Sequence, residues 1–388
     1  MSYKYLVPSI IDYSQKFSQL TPLDFKIIKA IHERGASNLT GLAEAISIPE
    51  QTLSYHVRRF EKRDLVRFRS LADEAKLGLK SYSVIASTVL GKEGISSRTM
   101  TCFPLWRYLA IMDGHKRGNY VRYAVPPDKE RDLKTFLTEL EKRKMICNFE
   151  IQPTTSPTYP LLNLDFYSGK RGTPMFDWNG WVKDLDSFSE KDTDESVSYG
   201  KADFDLYDLL ILRCLEINAR TSQRKVVNEI SRILNDRKSR KFIPLVSRRI
   251  RESIKPKGLI RCCRTYLFPN PGPTALFFML QLTFHSRSSL QKFISGLSYV
   301  PYNTSYEKVL DKNTLFARFV IPSHEWSNFR KALTELQQRG HLEDFRLFFG
   351  DLTSAAWDNV EIHEMFKNGT WNFSYGTAIE MLEKLPTK

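Results

Sequence analysis

Apolar residues recur along this chain with two alternating periods. Leu23, Ile27, Ile28 and Ile31 return every three to four residues, as one face of a helix does, and Thr21-Pro22-Leu23-Asp24 supplies an N-cap with proline at the first helical position. Gly35 stops that helix. Leu39, Leu42, Ala43 and Ile46 form the apolar face of a second helix, and Ser47-Ile48-Pro49-Glu50 turns the chain into a third. The third runs from Glu50 to Arg63 with Leu53, Val57 and Phe60 inward, which leaves Gln51, Thr52, Ser54, Tyr55, Arg58 and Arg59 outward. Leu65 to Arg69 follows as a wing strand. Beyond it the period shortens to that of strands at Ser81 to Leu90, Trp106 to Met112, Tyr120 to Ala124 and Ile146 to Ile151, while Asp128 to Lys144 is helical through Leu133, Phe136, Leu137 and Leu140.

The pattern occurs twice. Leu137-Thr-Glu-Leu-Glu-Lys-Arg143 returns as Leu333-Thr-Glu-Leu-Gln-Gln-Arg339, 196 residues later, and Asn148 to Ile151 matches Asp344 to Leu347 in the same register. Asn163 to Phe166 matches Asn359 to Ile362 at that offset, and Asp177-Trp-Asn179 resembles Thr370-Trp-Asn372. Tyr207, Ile211, Leu212 and Leu215 echo the first helix 184 residues on, so the second copy gains about a dozen residues, placed between Asn235 and Lys241. Strands are expected at Leu276 to Phe284, Ser298 to Glu307, Leu315 to Ile321 and Asp344 to Phe349, with a helix from His324 to Arg339.

Charge separates the copies. The chain carries 58 Lys and Arg against 44 Asp and Glu, a net +14, and the stretch from Arg220 to Arg264 holds fifteen basic residues against three acidic ones. Such a surplus is the footprint of a polyanionic partner. The outward face of the first copy's third helix carries short hydrogen-bonding groups suited to base edges, followed by arginines. In the second copy Val246, Ser247, Arg248 and Ile250 stand opposite Leu53, Ser54, Tyr55 and Val57. With Arg249, Arg251, Lys255 and Lys257 they make a surface suited to phosphates, so the first copy is expected to supply specificity and the second affinity. Asp184 to Asp205, acidic and rich in Ser, is a solvated linker between them.

Pro49-Glu-Gln-Thr-Leu-Ser-Tyr-His-Val-Arg-Arg-Phe-Glu61, then Asp64-Leu-Val66 and Lys76-Leu-Gly-Leu79 leading into a strand, resembles the Lrp/AsnC family of prokaryotic regulators. The resemblance covers Thr21 to about Thr154 and, more weakly, Asp205 to about Leu352. It implies an α+β protein: two winged helix-turn-helix domains, each followed by a ferredoxin-like βαββαβ domain, as an internal repeat. The implied boundaries are 1–80, 81–155, an extension and linker over 156–204, 205–270, 271–352 and a C-terminal extension over 353–388. The family's Gly-acid-Tyr turn stands here as Gly118-Asn-Tyr120 and as Lys312-Asn-Thr314.

Chemistry for catalysis is missing from the pattern. The seven histidines show no H-x-x-x-H or H-E-x-x-H spacing, the five cysteines no C-x-x-C pair, and Gly169-Lys-Arg-Gly172 lacks the length and ending of a P-loop. Cys262 and Cys263 are read as opposite faces of one strand. The aromatics Phe166, Phe176, Trp178 and Trp181, and Phe366, Trp371, Phe373 and Tyr375, are expected to pack each extension onto its own sheet rather than to stack single strands. The expectation is a non-enzymatic, cofactor-free, cytoplasmic and nucleoid-associated regulator that binds double-stranded DNA and not membrane. Self-association through the ferredoxin-like domains is a further expectation. RNA binding or small-molecule sensing are the competing readings. The strand faces carrying Val84, Ala86 and Val89, and Phe277, Met279 and Leu282, are apolar enough to need a cover, which the two copies are expected to give each other as a pseudo-twofold pair.

Overall fold

The computed structural model describes residues 20–35, 38–63, 65–88, 93–115, 117–160, 163, 166, 176–190, 201–235, 243–266, 275–351, 355–356 and 362–385. Helices α1 (Pro22–Arg34), α2 (Leu39–Ala45) and α3 (Glu50–Lys62) lead into strand β1 (Arg67–Ala72). The Thr21 and Asp24 side chains cap each other's amides at the start of α1, and Gly35 ends it at φ 86°, a conformation open to glycine. Ile27, Ile31, Leu53, Val57, Phe60 and Phe68 close this unit's core. Next come β2 (Lys80–Ser87), α4 (Glu93–Met100), β3 (Trp106–Gly114), β4 (Gly118–Val125), α5 (Glu130–Lys142) and β5 (Asn148–Thr154), a βαββαβ sequence. A short helix, α6 (Trp178–Lys183), precedes the second three-helix unit of α7 (Leu206–Ile217), α8 (Gln223–Leu234) and α9 (Ile243–Arg249), the last continued by a π turn over Ile250–Ile254. Strand β6 (Ile260–Tyr266) is followed by β7 (Ala275–Phe284), α10 (Arg287–Leu297), β8 (Asn303–Lys308), β9 (Thr314–Pro322), α11 (Trp326–Gln338) and β10 (Leu342–Gly350). Helix α12 (Tyr375–Glu383) lies near the end. The fold is mixed α+β, with β8 starting five residues later than its apolar pattern suggests.

The wing strands do not form separate wings. β1 pairs antiparallel with β6, with Arg67 opposite Tyr266, Arg69 opposite Arg264 and Ser70 opposite Cys263. Each three-helix unit therefore rests on the other's strand: α1 packs on β6, where His32 Nδ1 lies 3.0 Å from Thr265 Oγ1, and α7 packs on β1, where the Ala219 amide donates to the Phe68 carbonyl at 2.8 Å. Cys262 is exposed on this ribbon while Cys263 packs toward the first unit, so the two thiols do take opposite faces.

The two βαββαβ segments share one sheet of order β5-β2-β4-β3-β10-β7-β9-β8. β3 and β10 join through Phe348 opposite Gly114 and Gly350 opposite Met112. The outer strands also meet, through the Thr154–Val309 and Thr158–Tyr306 bridges and a 2.9 Å bond from the Leu310 amide to the Pro153 carbonyl, so the sheet closes on itself. Both junctions occupy strand edges that would otherwise stay open to pairing. Inside lie Ile85, Tyr108, Met112, Tyr120, Phe277, Met279 and Phe316. The expected cover is correct in kind but not in every residue. Phe277 and Met279 face the opposing half, whereas Val84, Ala86 and Leu282 point to the helices outside, and Ile85 takes the inner position. Val89 lies outside the described residues.

The extensions also cross over, against the expectation that each covers its own sheet. Trp178, Trp181 and Leu185 pack on the second half with Phe293, Tyr302 and Phe329, and Trp178 Nε1 donates to Glu325 at 2.9 Å. Phe373 and Leu382 pack on the first half, Phe373 edge-on to Phe103, and Trp371 Nε1 donates to the Leu77 carbonyl at 2.9 Å, while Phe366 stacks on Phe204 beside α7. The Gly169 to Gly172 turn and most of the Asn235 to Lys241 insertion lie outside the described residues.

A buried ionic cluster joins the helical units to the sheet. Glu74, just after β1, takes Arg122 at 2.8 Å and Arg107 at 3.3 Å, and Arg107 reaches on to Glu216 of α7 at 2.7 Å. Burial alone pushes the Glu74 carboxyl upward, but Arg122 and Arg107 bring it down to about 2. His32, beside the β1–β6 ribbon, is lowered to about 4 by burial and by Arg264. A histidine whose folded pKa lies below its unfolded value of 6.5 stabilises the fold above that pH and loses the contribution as pH falls toward 4. From pH 7 to 5, above the Glu74 window, we predict a loss of about 2 kcal/mol from this residue. Urea unfolding of His32→Asn should be flatter over that range by this amount; an unchanged slope would contradict the assignment.

Candidate nucleic-acid interface

Helix α3 presents a mixed polar face because its apolar residues fall on one side. Leu53, Val57 and Phe60 are fully buried, Gln51, Arg58 and Tyr55 are exposed, and Thr52 and Ser54 are partly so. Tyr55, at 64% exposure, is one of the few large apolar side chains left in solvent among the described residues. Five of the six residues expected to point outward do so.

Arg59 is the correction. It turns inward onto the fully buried Asp24, joined there by His56 Nδ1 at 2.6 Å and by the Thr21 amide at 2.7 Å. Burial raises the Asp24 carboxyl, yet the Thr21, His56 and Arg59 donors hold it below the usual aspartate value. Asp24 thereby does two jobs, capping α1 and tying α3 to it.

The second unit repeats this tie with other residues. Asp208, at the same place in α7, accepts from Arg249 Nη1 at 3.0 Å and from Ser253 Oγ at 3.0 Å, and Arg249 also reaches Asp205 at 2.8 Å. Arg249 is thus a second correction: it stands where His56 stands in α3 and fastens the helix instead of facing outward. Its guanidinium also lies 5.3 Å from the Tyr207 ring. The outward residues are Arg248 and Arg251, 64% and 72% exposed, with Lys255; Ser247 is half-buried and Lys257 lies 3.5 Å from Asp203. Glu252 is the acidic neighbour of both exposed arginines, 3.9 Å from Arg248 and 3.1 Å from Arg251. Sequence reasoning did not single out Arg224 and Lys225, two further exposed basic residues at the start of α8 in the same unit.

The MarR family profile matches residues 20–76. This segment is the first three-helix unit with β1, and its likeness is to winged-helix regulators. No curated protein matches the chain. Among solved structures, the siroheme decarboxylase NirDL aligns over 93% of this chain and 98% of its own, at 12% identity and a TM-score of 0.49. An AsnC family transcriptional regulator from Agrobacterium tumefaciens aligns over 38% of this chain and 99% of its own, at 19% identity and a TM-score of 0.32. AsnC from E. coli covers 40% of this chain and 99% of its own at 12% identity, with a TM-score of 0.28.

Elsewhere the Gly118-Asn-Tyr120 motif opens β4 within the sheet. A Cβ at Gly118 would come 1.9 Å from the Ala86 carbonyl oxygen, so the close strand approach requires glycine. Among the described residues no three His, Cys, Asp or Glu side chains stand together as metal ligands, and no helix is long and apolar enough to cross a membrane. Cys102 and Cys214 are buried, and burial raises each thiol to about 11.

Neighbouring arginines on α3 should therefore behave differently. Arg59→Ala removes the guanidinium from a buried carboxylate that keeps only its His56 and Thr21 donors, and should lower stability by about 2 kcal/mol in urea unfolding. Arg58→Ala, a solvent-side change, should stay within about 0.5 kcal/mol. Equal effects would show that the inward turn of Arg59 is not structural.

Proposed function

We propose that the chain is a DNA-binding transcription regulator or chromatin-associated protein in which two unlike helices grip one duplex. The carrying observation is the pairing of β1 with β6, on which α1 and α7 pack, so that the units holding α3 and the α9 segment share one ribbon while their outward faces differ in chemistry. α3 offers Gln51, Thr52, Ser54, Tyr55 and Arg58, groups that hydrogen-bond or pack against base edges. The α9 segment offers Arg248, Arg251 and Lys255, which suit phosphates. The MarR-family match over residues 20–76 supports the same reading. We take the two halves as an internal duplication that performs within one chain what two copies of a single-unit protein perform together. The protein acts without catalysis or cofactor, in the cytoplasm and on the nucleoid.

Duplex binding with about six phosphate contacts gives a slope of log affinity on log salt near −5. A slope shallower than about −2, or tighter binding to hairpin RNA than to duplex DNA in competition, would overturn the proposal. Tyr55→Ala should weaken binding to a selected site by about 1 to 3 kcal/mol while leaving random duplex nearly unchanged. The double change Arg248→Ala with Arg251→Ala should weaken both duplexes alike.

A further inference from the structure

The two halves of the sheet hold matching positions with unlike residues. In the first half Arg122 of β4 stands opposite Ser83 and Tyr108, and Tyr120 stands opposite Ala110. In the second, Arg318 of β9 stands opposite Met279 and Ser305, and Phe316 stands opposite Glu307. The edge strands even slip register at the same place, between Trp106 and Tyr108 and between Asn303 and Ser305. Ala110 therefore corresponds to Glu307, Tyr120 to Phe316 and Ser83 to Met279.

Glu307 is fully buried, and its acceptors are used across the junction. Ser83 Oγ donates to it at 2.9 Å and Tyr120 OH at 2.9 Å, both from the first half, while Arg318 of its own half balances its charge. Two first halves placed together would set Ala110 against Ser83 and Tyr120 and leave buried hydroxyls without the carboxylate. Two second halves would set Glu307 against Met279 and Phe316, leaving it the Arg318 of its own half but neither hydroxyl donor. Either exchange gives up the two carboxylate–hydroxyl bonds that cross the junction and leaves the Ser83–Tyr120 pair, or the Glu307–Arg318 pair, buried without its remaining partner.

A second pair carries the same message near the pseudo-twofold axis. Glu150 is registered opposite Ile85, and Arg346 opposite Gln281, two places that correspond in the two halves. Corresponding residues that touch each other lie at such an axis. Arg346 Nη1 donates to Glu150 at 3.0 Å. Like halves would put glutamate on glutamate or arginine on arginine.

We infer that this interface is keyed to unlike partners: the first half recognises the second half through Glu307 and the Glu150–Arg346 pair, and rejects a second copy of itself. Each molecule then carries one reading helix of each kind, and a mixture of chains does not assemble into pairs with two identical helices. This rests on the strand registers and buried contacts and not on DNA binding.

The folded full chain, cut once between residues 190 and 201, then unfolded and refolded as the nicked mixture, tests it by native mass spectrometry. The expected product is almost wholly one first half with one second half. A statistical mixture with like pairs at about half of the total would overturn the key. Ser83→Met with Tyr120→Phe, which gives the first half the second half's residues, should raise the share of like pairs. If nicked halves do not refold, the uncut chain answers through a double-mutant cycle of Tyr120→Phe and Glu307→Gln. The two effects on the unfolding constant should be coupled by about fivefold or more, and additive effects would overturn the proposal.

Discussion

A β-strand with one edge unpaired leaves a row of amides and carbonyls with no partner, and each half of this chain has such edges where the other half supplies the match. β1 alone would be a single strand beside three helices; with β6 it becomes a ribbon. β3 and β5 at the rims of one sheet are met by β10 and by the end of β8 from the other. Everything else follows from these pairings. They bring the apolar inner faces together, carry each extension over to the opposite half, and set α1 and α7 on each other's strands.

The Glu74–Arg122–Arg107–Glu216 cluster then decides orientation. Hydrophobic contact is non-directional, whereas these buried charges are satisfied in one arrangement, with Glu74 from the first helical unit, Glu216 from the second and both arginines from the sheet. Tyr159 adds a second tie, its ring 3.5 Å from the Arg264 guanidinium of β6, while Arg264 also donates to the Thr304 carbonyl at 3.5 Å.

Much of this was legible in the residues. Helical period located α1, α3, α5, α7 and α11, and alternation located most strands, because one-sided burial imprints its period on the chain. Long-range pairing was not legible. β2 is buried on both faces, so Val84 and Ile85 are equally apolar and their parity says nothing about which one meets the other sheet. Trp178 and Phe373 suit either sheet by composition, and only three-dimensional reach chooses between them. Arg59 lies at the border of the polar face of α3, where a buried aspartate 35 residues away captures it. The π turn after Arg249 shifts the second helix in a way that no local propensity announces.

If the proposed DNA binding uses both outward-facing helices, the β1–β6 pairing should make them act as one rigid body, and helical phasing tests this most directly. Five base pairs, about half a helical turn, inserted between the two protected segments of a selected site would rotate one segment to the opposite face of the duplex. The account predicts loss of most of the specific affinity and its recovery when ten base pairs are inserted. Affinity unchanged by the five-base-pair insertion would contradict it, because only independently tethered units tolerate that rotation.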